Sequence, residues 1–347
     1  MHILQSWHDA VDARPKCDVH VTFIDFTRAF DTISHGHLLH SLKMLGVTKT
    51  IWLTVSSYLE DRRQTVKWGN HLSKPQAVLA GVPQGGVLSP LLFVLCMNFL
   101  DQLLPASVEP IKYADDLTLS EHLMGSLPGQ MQAAVDAVTD WGQTYCLAAN
   151  AGKTKDMVIS LRAPQNRPIP PPIVLNNQAV ERVDTFKLLG IQLSSDLKWD
   201  AQVQFMLKKA QPRVHYLSVA KRAQLPPDVL TQVYVTFIRP VLEYASPVWA
   251  GLPKHLIQEL ECLQKRCCRI IGIPTNSFPT LEMRREEATL REFNRLLREG
   301  TSPMIQSLST NTSHYTLRNG RTLTQPKSHT KRHQMSFLPR AYKLYQK

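Results

Sequence analysis

Acid is scarce in this sequence. Its 347 residues carry 28 Asp plus Glu against 40 Lys plus Arg, a formal charge of +12 at pH 7, and from Gly300 to Lys347 there are eight Lys or Arg and no acidic residue. Such a balance disfavours a cationic partner and favours a polyanion, nucleic acid first. Long apolar runs are missing too. The longest, Leu91 to Met97, falls well short of the ~20 residues that cross a bilayer, and the first residues lack a charged start followed by a continuous apolar stretch. Neither a membrane nor secretion is expected, which leaves an intracellular site, nucleus or cytoplasm. The six cysteines have no regular spacing, and Cys262, Cys267 and Cys268 do not make two CxxC pairs for zinc. A disulfide framework is thereby excluded and thiols in a reducing compartment are expected. With 43% apolar residues the composition is not that of a disordered chain, and the length suffices for two or three domains.

Where acid does occur, it is placed. Ile111-Lys112-Tyr113-Ala114-Asp115-Asp116-Leu117-Thr118-Leu119 has two apolar-alternating arms meeting at adjacent carboxylates, the pattern of a tight β-hairpin with acid at its tip. Crowded carboxylates raise one another's pKa unless a cation sits between them. A solvated Asp-Asp turn is the plainer reading. Upstream, Val19, Val21 and Phe23 alternate toward Asp25, so a buried strand would deliver a third carboxylate to the same sheet edge. Hard oxygen ligands with room for water and phosphate suit Mg²⁺, and two such ions about 4 Å apart can activate a hydroxyl and stabilise a leaving pyrophosphate. In Ala80-Gly81-Val82-Pro83-Gln84-Gly85-Gly86-Val87-Leu88-Ser89-Pro90 the glycines allow a flat ligand near the backbone, and Gln84 can offer its amide to a nucleotide. Ser89-Pro90 is expected to cap the apolar helix that follows.

In these three segments the chain resembles the reverse transcriptases of non-LTR (LINE-like) retrotransposons. Phe23 to Asp31 is similar to the family's first catalytic motif, Gly81 to Phe93 to its Pro-Gln-Gly motif, and Tyr113 to Asp116 to its Tyr-x-Asp-Asp box. The resemblance implies an α+β right-hand polymerase: a palm with antiparallel sheet and partial fingers, then a helical thumb and a C-terminal helical region. It implies Asp25, Asp115 and Asp116 as catalytic acids and ligands of two Mg²⁺ ions (or Mn²⁺). Phe30 would be the gate against a ribose 2′-hydroxyl, and Gln84, Gly85 and Tyr113 would contact the nucleotide. Asn150-Ala151-Gly152-Lys153-Thr154 resembles the fourth motif, in which Lys153 would protonate pyrophosphate as general acid; a surface lysine after a Gly turn is the alternative. The partners implied are an RNA template, a DNA primer and dNTPs. With 24 residues before Asp25, most of the family's fingers region is expected to be absent. The runner-up reading is therefore an inactive, nucleic-acid-binding relic.

The remaining pattern divides the chain into a palm with partial fingers (1–197), a thumb-like region (198–272) and a C-terminal region with a basic tail (273–347). Ile3, Leu4, Trp7 and Val11 mark a first helix, and Leu38, Leu39, Leu42 and Leu45 another. Asp61 to Trp68 alternates and is basic, either touching template backbone or simply solvated. Asn176-Asn177 signals a hairpin. Thr185 to Leu193 is expected to be one strand, resembling the primer grip. Lys208, Lys209, Arg213 and Lys221 would face duplex phosphates from a helix interrupted at Pro212. In the tail, Tyr315, Phe337 and Tyr342 are candidates for stacking on RNA bases, with a merely flexible tail as the alternative.

Overall fold

The computed structural model describes residues 1–123, 129–166, 169–306, 308, 310–311, 322–323 and 326–346. In chain order its principal elements are α1 (His2–Asp12), β1 (Asp18–Ile24), α2 (His35–Met44), α3 (Lys49–Leu59), α4 (Leu88–Met97), β2 (Val108–Tyr113), β3 (Asp116–Leu123), α5 (Met131–Tyr145), β4 (Lys155–Ile159), β5 (Glu181–Arg182), β6 (Thr185–Leu188), β7 (Ile191–Ser194), α6 (Asp200–Arg222), α7 (Pro227–Val233), α8 (Lys254–Ile271), α9 (Leu281–Glu299) and α10 (Phe337–Tyr345). The α+β class expected from sequence is the class observed. No helix among the described residues is long and apolar enough to cross a membrane.

The chain forms two compact units, Asp18–Val158 with Arg162–Val183, and Met1–Cys17 with Ile159–Leu161 and Asp184–Lys347. Residues 1–17 and 184–197, grouped with the palm by sequence, share the unit of the helices. The first unit is built on a sheet of order β5-β4-β1-β3-β2. β1 pairs antiparallel with β3 from Asp18↔Leu123 to Ile24↔Leu117, and β3 with β2 from Val108↔Glu121 to Tyr113↔Asp116. β1 is buried at all seven residues, because both faces of the sheet are covered there, so its polar members need partners inside. His20 Nε2 lies 2.6 Å from Asp156 Oδ1, Thr22 Oγ1 donates to the same oxygen at 3.3 Å, and Arg182 Nε donates to Asp156 Oδ2 at 2.7 Å. That buried network ties β1, β4 and β5 together. Phe93, Leu38, Ile33, Leu100, Leu117, Leu119 and Val135 fill the core of this unit, each fully buried side chain contributing roughly 1.5–3 kcal/mol.

Several local expectations are revised. Ser89 does not cap α4: the helix starts at Leu88, and the buried Ser89 hydroxyl donates back to the Pro83 carbonyl. Thr185 to Leu193 is a hairpin, not one strand, because Leu189 and Gly190 both take positive φ (46° and 84°) and reverse the chain between Leu188 and Ile191. The Asn176-Asn177 hairpin forms as expected, with Leu175 opposite Gln178.

In the second unit α6 runs unbroken through Pro212. Two of the four cations expected to face duplex phosphates are engaged internally. Arg213 stacks over the Phe237 ring and donates to the Phe237 carbonyl, while Lys221 Nζ donates to Ile271 O at 3.1 Å. The expectation for the tail also changes: Phe337 and Tyr342 are buried on α10, where their rings serve the core and are closed to a base; Tyr315 lies outside the described residues. α1 is held by the chain's last segment. Asp12 accepts from the backbone N–H groups of His329 (2.7 Å) and Thr330 (2.6 Å), Gln5 Oε1 accepts from Leu338 N–H (2.9 Å), and His333 meets Asp9 at 2.7 Å.

Candidate active site

Asp25 follows the last residue of β1, and the chain leaves the sheet there because a second segment takes over its pairing. Asn150 N–H donates to Asp25 O (2.8 Å), Thr27 N–H to Ala148 O (2.8 Å), and Asp25 N–H to Thr154 Oγ1 (3.3 Å). This pairing brings Lys153 Nζ to 3.7 Å from Asp25 Oδ2. Separation in the chain concealed the contact; Lys153 is singled out in the sequence only by the resemblance of residues 150–154 to the family's fourth motif.

The two neighbouring carboxylates are not both at a hairpin tip. Ala114 and Asp115 make the two-residue turn, with Ala114 at φ 54°, while Asp116 opens β3 opposite Tyr113. Burial, then the charges of Asp115 and Asp25, push the Asp116 carboxyl above its ordinary value. Asp116 therefore lies within the electrostatic reach of both Asp115 and Asp25. Asp25 Oδ2 is shielded from solvent and accepts no hydrogen bond. Among the described residues no three His, Cys, Asp or Glu side chains are grouped so as to hold a metal ion by themselves. An unmatched carboxylate oxygen beside two more carboxylates is a donor set that fits a hard divalent cation, whose other positions fall to water and phosphate. Reverse transcriptases as a family use divalent ions.

Around the acids, the segment from Phe30 to His35, a short helical turn (Ala29–Thr32) leading into α2, grips the Gly-rich loop. Val82 N–H donates to Phe30 O (2.7 Å), Gly81 N–H to Ile33 O (2.8 Å), and His35 Nε2 lies 2.7 Å from Gly81 O. Gly81 has φ 81°, and a Cβ there would lie 2.5 Å from Asp31 O, so only glycine fits. Gln84 Nε2 donates to Asp31 Oδ1 at 2.8 Å, and Phe30 packs on Phe93 with centroids 4.7 Å apart. Gly85, at φ 81°, has open space over its Cα, and Tyr113 is exposed. Asp31 and His35 were not singled out by sequence. No linear signal marks them, since their partners lie 53 and 46 residues away.

The family model described as reverse transcriptase (RNA-dependent DNA polymerase) matches residues 2–193. The probable RNA-directed DNA polymerase from transposon BS of Drosophila melanogaster is 28% identical over 280 residues, 78% of this chain and 30% of that protein. The RNA-directed DNA polymerase from mobile element jockey of the same organism is 28% identical over 264 residues, 73% of this chain and 28% of that protein. The chain thus spans about three tenths of the length of these relatives. Among solved structures, telomerase from Candida tropicalis in complex with a fragment of telomeric RNA is 12% identical, covers 88% of this chain and 43% of its own, and superposes with a TM-score of 0.44, too low to bear weight. The family match takes in Asp25, Asp115, Asp116 and Lys153 and more than half of the sequence, and the chain belongs to the reverse transcriptase (RNA-dependent DNA polymerase) family, with relatives among the polymerases of non-LTR retrotransposons.

Proposed function

We propose that this chain is an RNA-directed DNA polymerase of a non-LTR retrotransposon, adding dNTPs to a DNA primer on an RNA template. The supporting observation is the convergence of Asp25, Asp115 and Asp116, with Lys153 Nζ 3.7 Å from Asp25. In the reaction the primer 3′-oxygen forms a bond to the α-phosphorus while the bond from that phosphorus to the bridging oxygen breaks and pyrophosphate leaves. Asp25 and Asp115, assisted by Asp116, would hold two Mg²⁺ ions, or Mn²⁺, which supply charge neutralisation at the attacking and leaving oxygens. Lys153 donates a proton to the departing pyrophosphate. Phe30, braced on Phe93, limits the space at the sugar. Gln84, Gly85 and Tyr113 border the nucleotide, Gln84 being oriented by Asp31. Residues 198–272 would act as the thumb, and the site of action is the nucleus or cytoplasm.

Primer extension on an RNA template with Mg²⁺ and dNTPs tests this, beside an Asp115→Asn/Asp116→Asn double variant. Template-directed extension that disappears in the variant is expected. Failure to extend, with salt-sensitive RNA binding retained, would leave a nucleic-acid-binding chain without polymerase chemistry. Addition indifferent to template sequence would make it a terminal nucleotidyltransferase.

A further inference from the structure

Between α3 and the Gly-rich loop the chain makes a two-stranded ribbon with no core of its own. Arg63 pairs with Ala77 and Gln64 with Gln76; nearer the tip Lys67 pairs with Leu72 and Trp68 with His71. Val66 and Ser73 link the two halves, Val66 N–H donating to Ser73 Oγ and Ser73 N–H to Val66 O, both at 2.9 Å. The turn is Gly69-Asn70, with Gly69 at φ 57°. At the base, Ala80 bridges to Ser34 and Gly81 N–H donates to Ile33 O, which fixes the ribbon to the segment that follows the short helix of Phe30. Every residue from Arg63 to Ala77 is exposed.

Two features of this ribbon call for a ligand. Isolated two-stranded ribbons are marginal in water, yet this one displays Trp68 at 84% exposure, Val66 at 65% and Leu72 at 69%. None of the other five tryptophans is exposed: Trp7, Trp141, Trp199 and Trp249 are buried and Trp52 is intermediate. The second feature is charge. Arg62, Arg63, Lys67 and Lys74 lie on the ribbon, and no acidic residue occurs between Asp61 and Asp101. An uncovered indole among cations that have no ion-pair partner among the described residues suits a polyanion that carries unstacked flat rings.

We propose that the ribbon is a binding platform for single-stranded RNA, in which Trp68 stacks on an unpaired base while Arg63, Lys67 and Lys74 meet the adjoining phosphates. Duplex offers the cations the same phosphates but keeps its bases from the indole. The inference rests on the polymerase reading for the identity of the strand, which is the template. Its test needs no catalysis.

The probe is a dye-labelled oligo(U) RNA of about 15 nucleotides, titrated by anisotropy without dNTPs against the full chain and its variants. Trp68→Ala is expected to weaken binding about 5- to 100-fold, the range for loss of one stacked base. Trp68→Tyr keeps affinity within about threefold yet loses the tryptophan quenching that accompanies binding of unlabelled oligo(U) in the wild-type chain. Arg63→Gln/Lys67→Gln lowers the slope of log K against log salt by about 1.4, two phosphates on a single strand. Unchanged urea midpoints confirm that an exposed site has been altered. The proposal is overturned by Trp68→Ala binding within about twofold of wild type, by an equal loss on duplex RNA, or by absence of oligo(U) binding at low salt. A change in self-association alone would assign the ribbon to a second copy of the chain and overturn it likewise. Primer extension by the wild-type chain, measured separately, reports on the polymerase reading, so either can fail alone.

Discussion

Asp156→Asn removes one charge from the centre of the sheet that carries Asp25, and the structure sets the size of the effect. Asp156 is 1% exposed, and its carboxylate receives hydrogen bonds from His20 at 2.6 Å and Arg182 at 2.7 Å. Bonds to charged groups contribute about 1.5–3 kcal/mol each. Arg182 is 31% exposed and regains water in the variant, so its bond belongs at the low end, while His20, 2% exposed, has no such recourse. Together they give about 3–4 kcal/mol, within the range for breaking a buried pair, and a large share of the ~5–15 kcal/mol of a typical domain. With a urea slope of about 2 kcal/mol/M the midpoint of the sheet unit falls by about 1.5–2 M, read from tryptophan emission at pH 7. The pH dependence follows from sign. Burial raises the Asp156 carboxyl, but the hydrogen bond and charge of His20, then those of Arg182, outweigh it and hold the group below its ordinary 3.8. A carboxyl lowered in the folded state stabilises fully above its unfolded pKa and loses that contribution as pH falls through the folded value. The difference between wild type and variant should therefore start to shrink only as pH falls below 3.8 and close as pH passes the still lower folded value. A loss under about 1 kcal/mol at pH 7, or an equal difference at pH 7 and pH 3, would refute this account.

Two further outcomes concern the acids and the lysine beside them. Asp116 has the opposite sign: burial, then Asp115 and Asp25, raise its carboxyl, so its ionised form costs stability once pH exceeds the unfolded value of 3.8. Asp116→Asn should raise the urea midpoint at pH 7, with the gain fading toward pH 3, while primer extension is lost; a lower midpoint at pH 7 contradicts the crowding of the three acids. Lys153→Ala should slow single-turnover extension about 100-fold and leave template affinity unchanged, and a slowing under about threefold would remove Lys153 as proton donor.

What could be seen in the sequence was whatever lies close along the chain. Asp115, Asp116 and the strand before Asp25 announce themselves within a dozen residues, as do the Asn176-Asn177 turn and α1. Contacts that depend on distant partners gave no sign. Asp156 carries no local signal because its partner His20 lies 136 positions away, and Asp31 acquires meaning only through Gln84. Elsewhere a local rule yielded to packing or to backbone detail. Pro212 stays within a 23-residue helix, Ser89 lies inside α4, and Leu189 accepts positive φ next to Gly190 to turn what looked like one strand. Phe337 and Tyr342 misled because exposure is not written in composition: a tail without acid still folds two aromatic rings into the core of its unit.

The clasp between α1 and the chain's last segment has a consequence for biosynthesis. The hydrogen bond from Thr330 N–H to Asp12 spans 318 positions, and at about 5–20 residues per second the ribosome needs roughly 15–60 s to make that stretch. Over this interval α1 has emerged without its final partners, whereas every strand of the five-stranded sheet is complete by Arg182. The sheet can thus close while the helix before it is still waiting, and Trp7, Ile3 and Leu4 remain for a time an apolar surface on the nascent chain. A factor that shelters emerging hydrophobic segments has that surface to hold until residues 329–338 arrive.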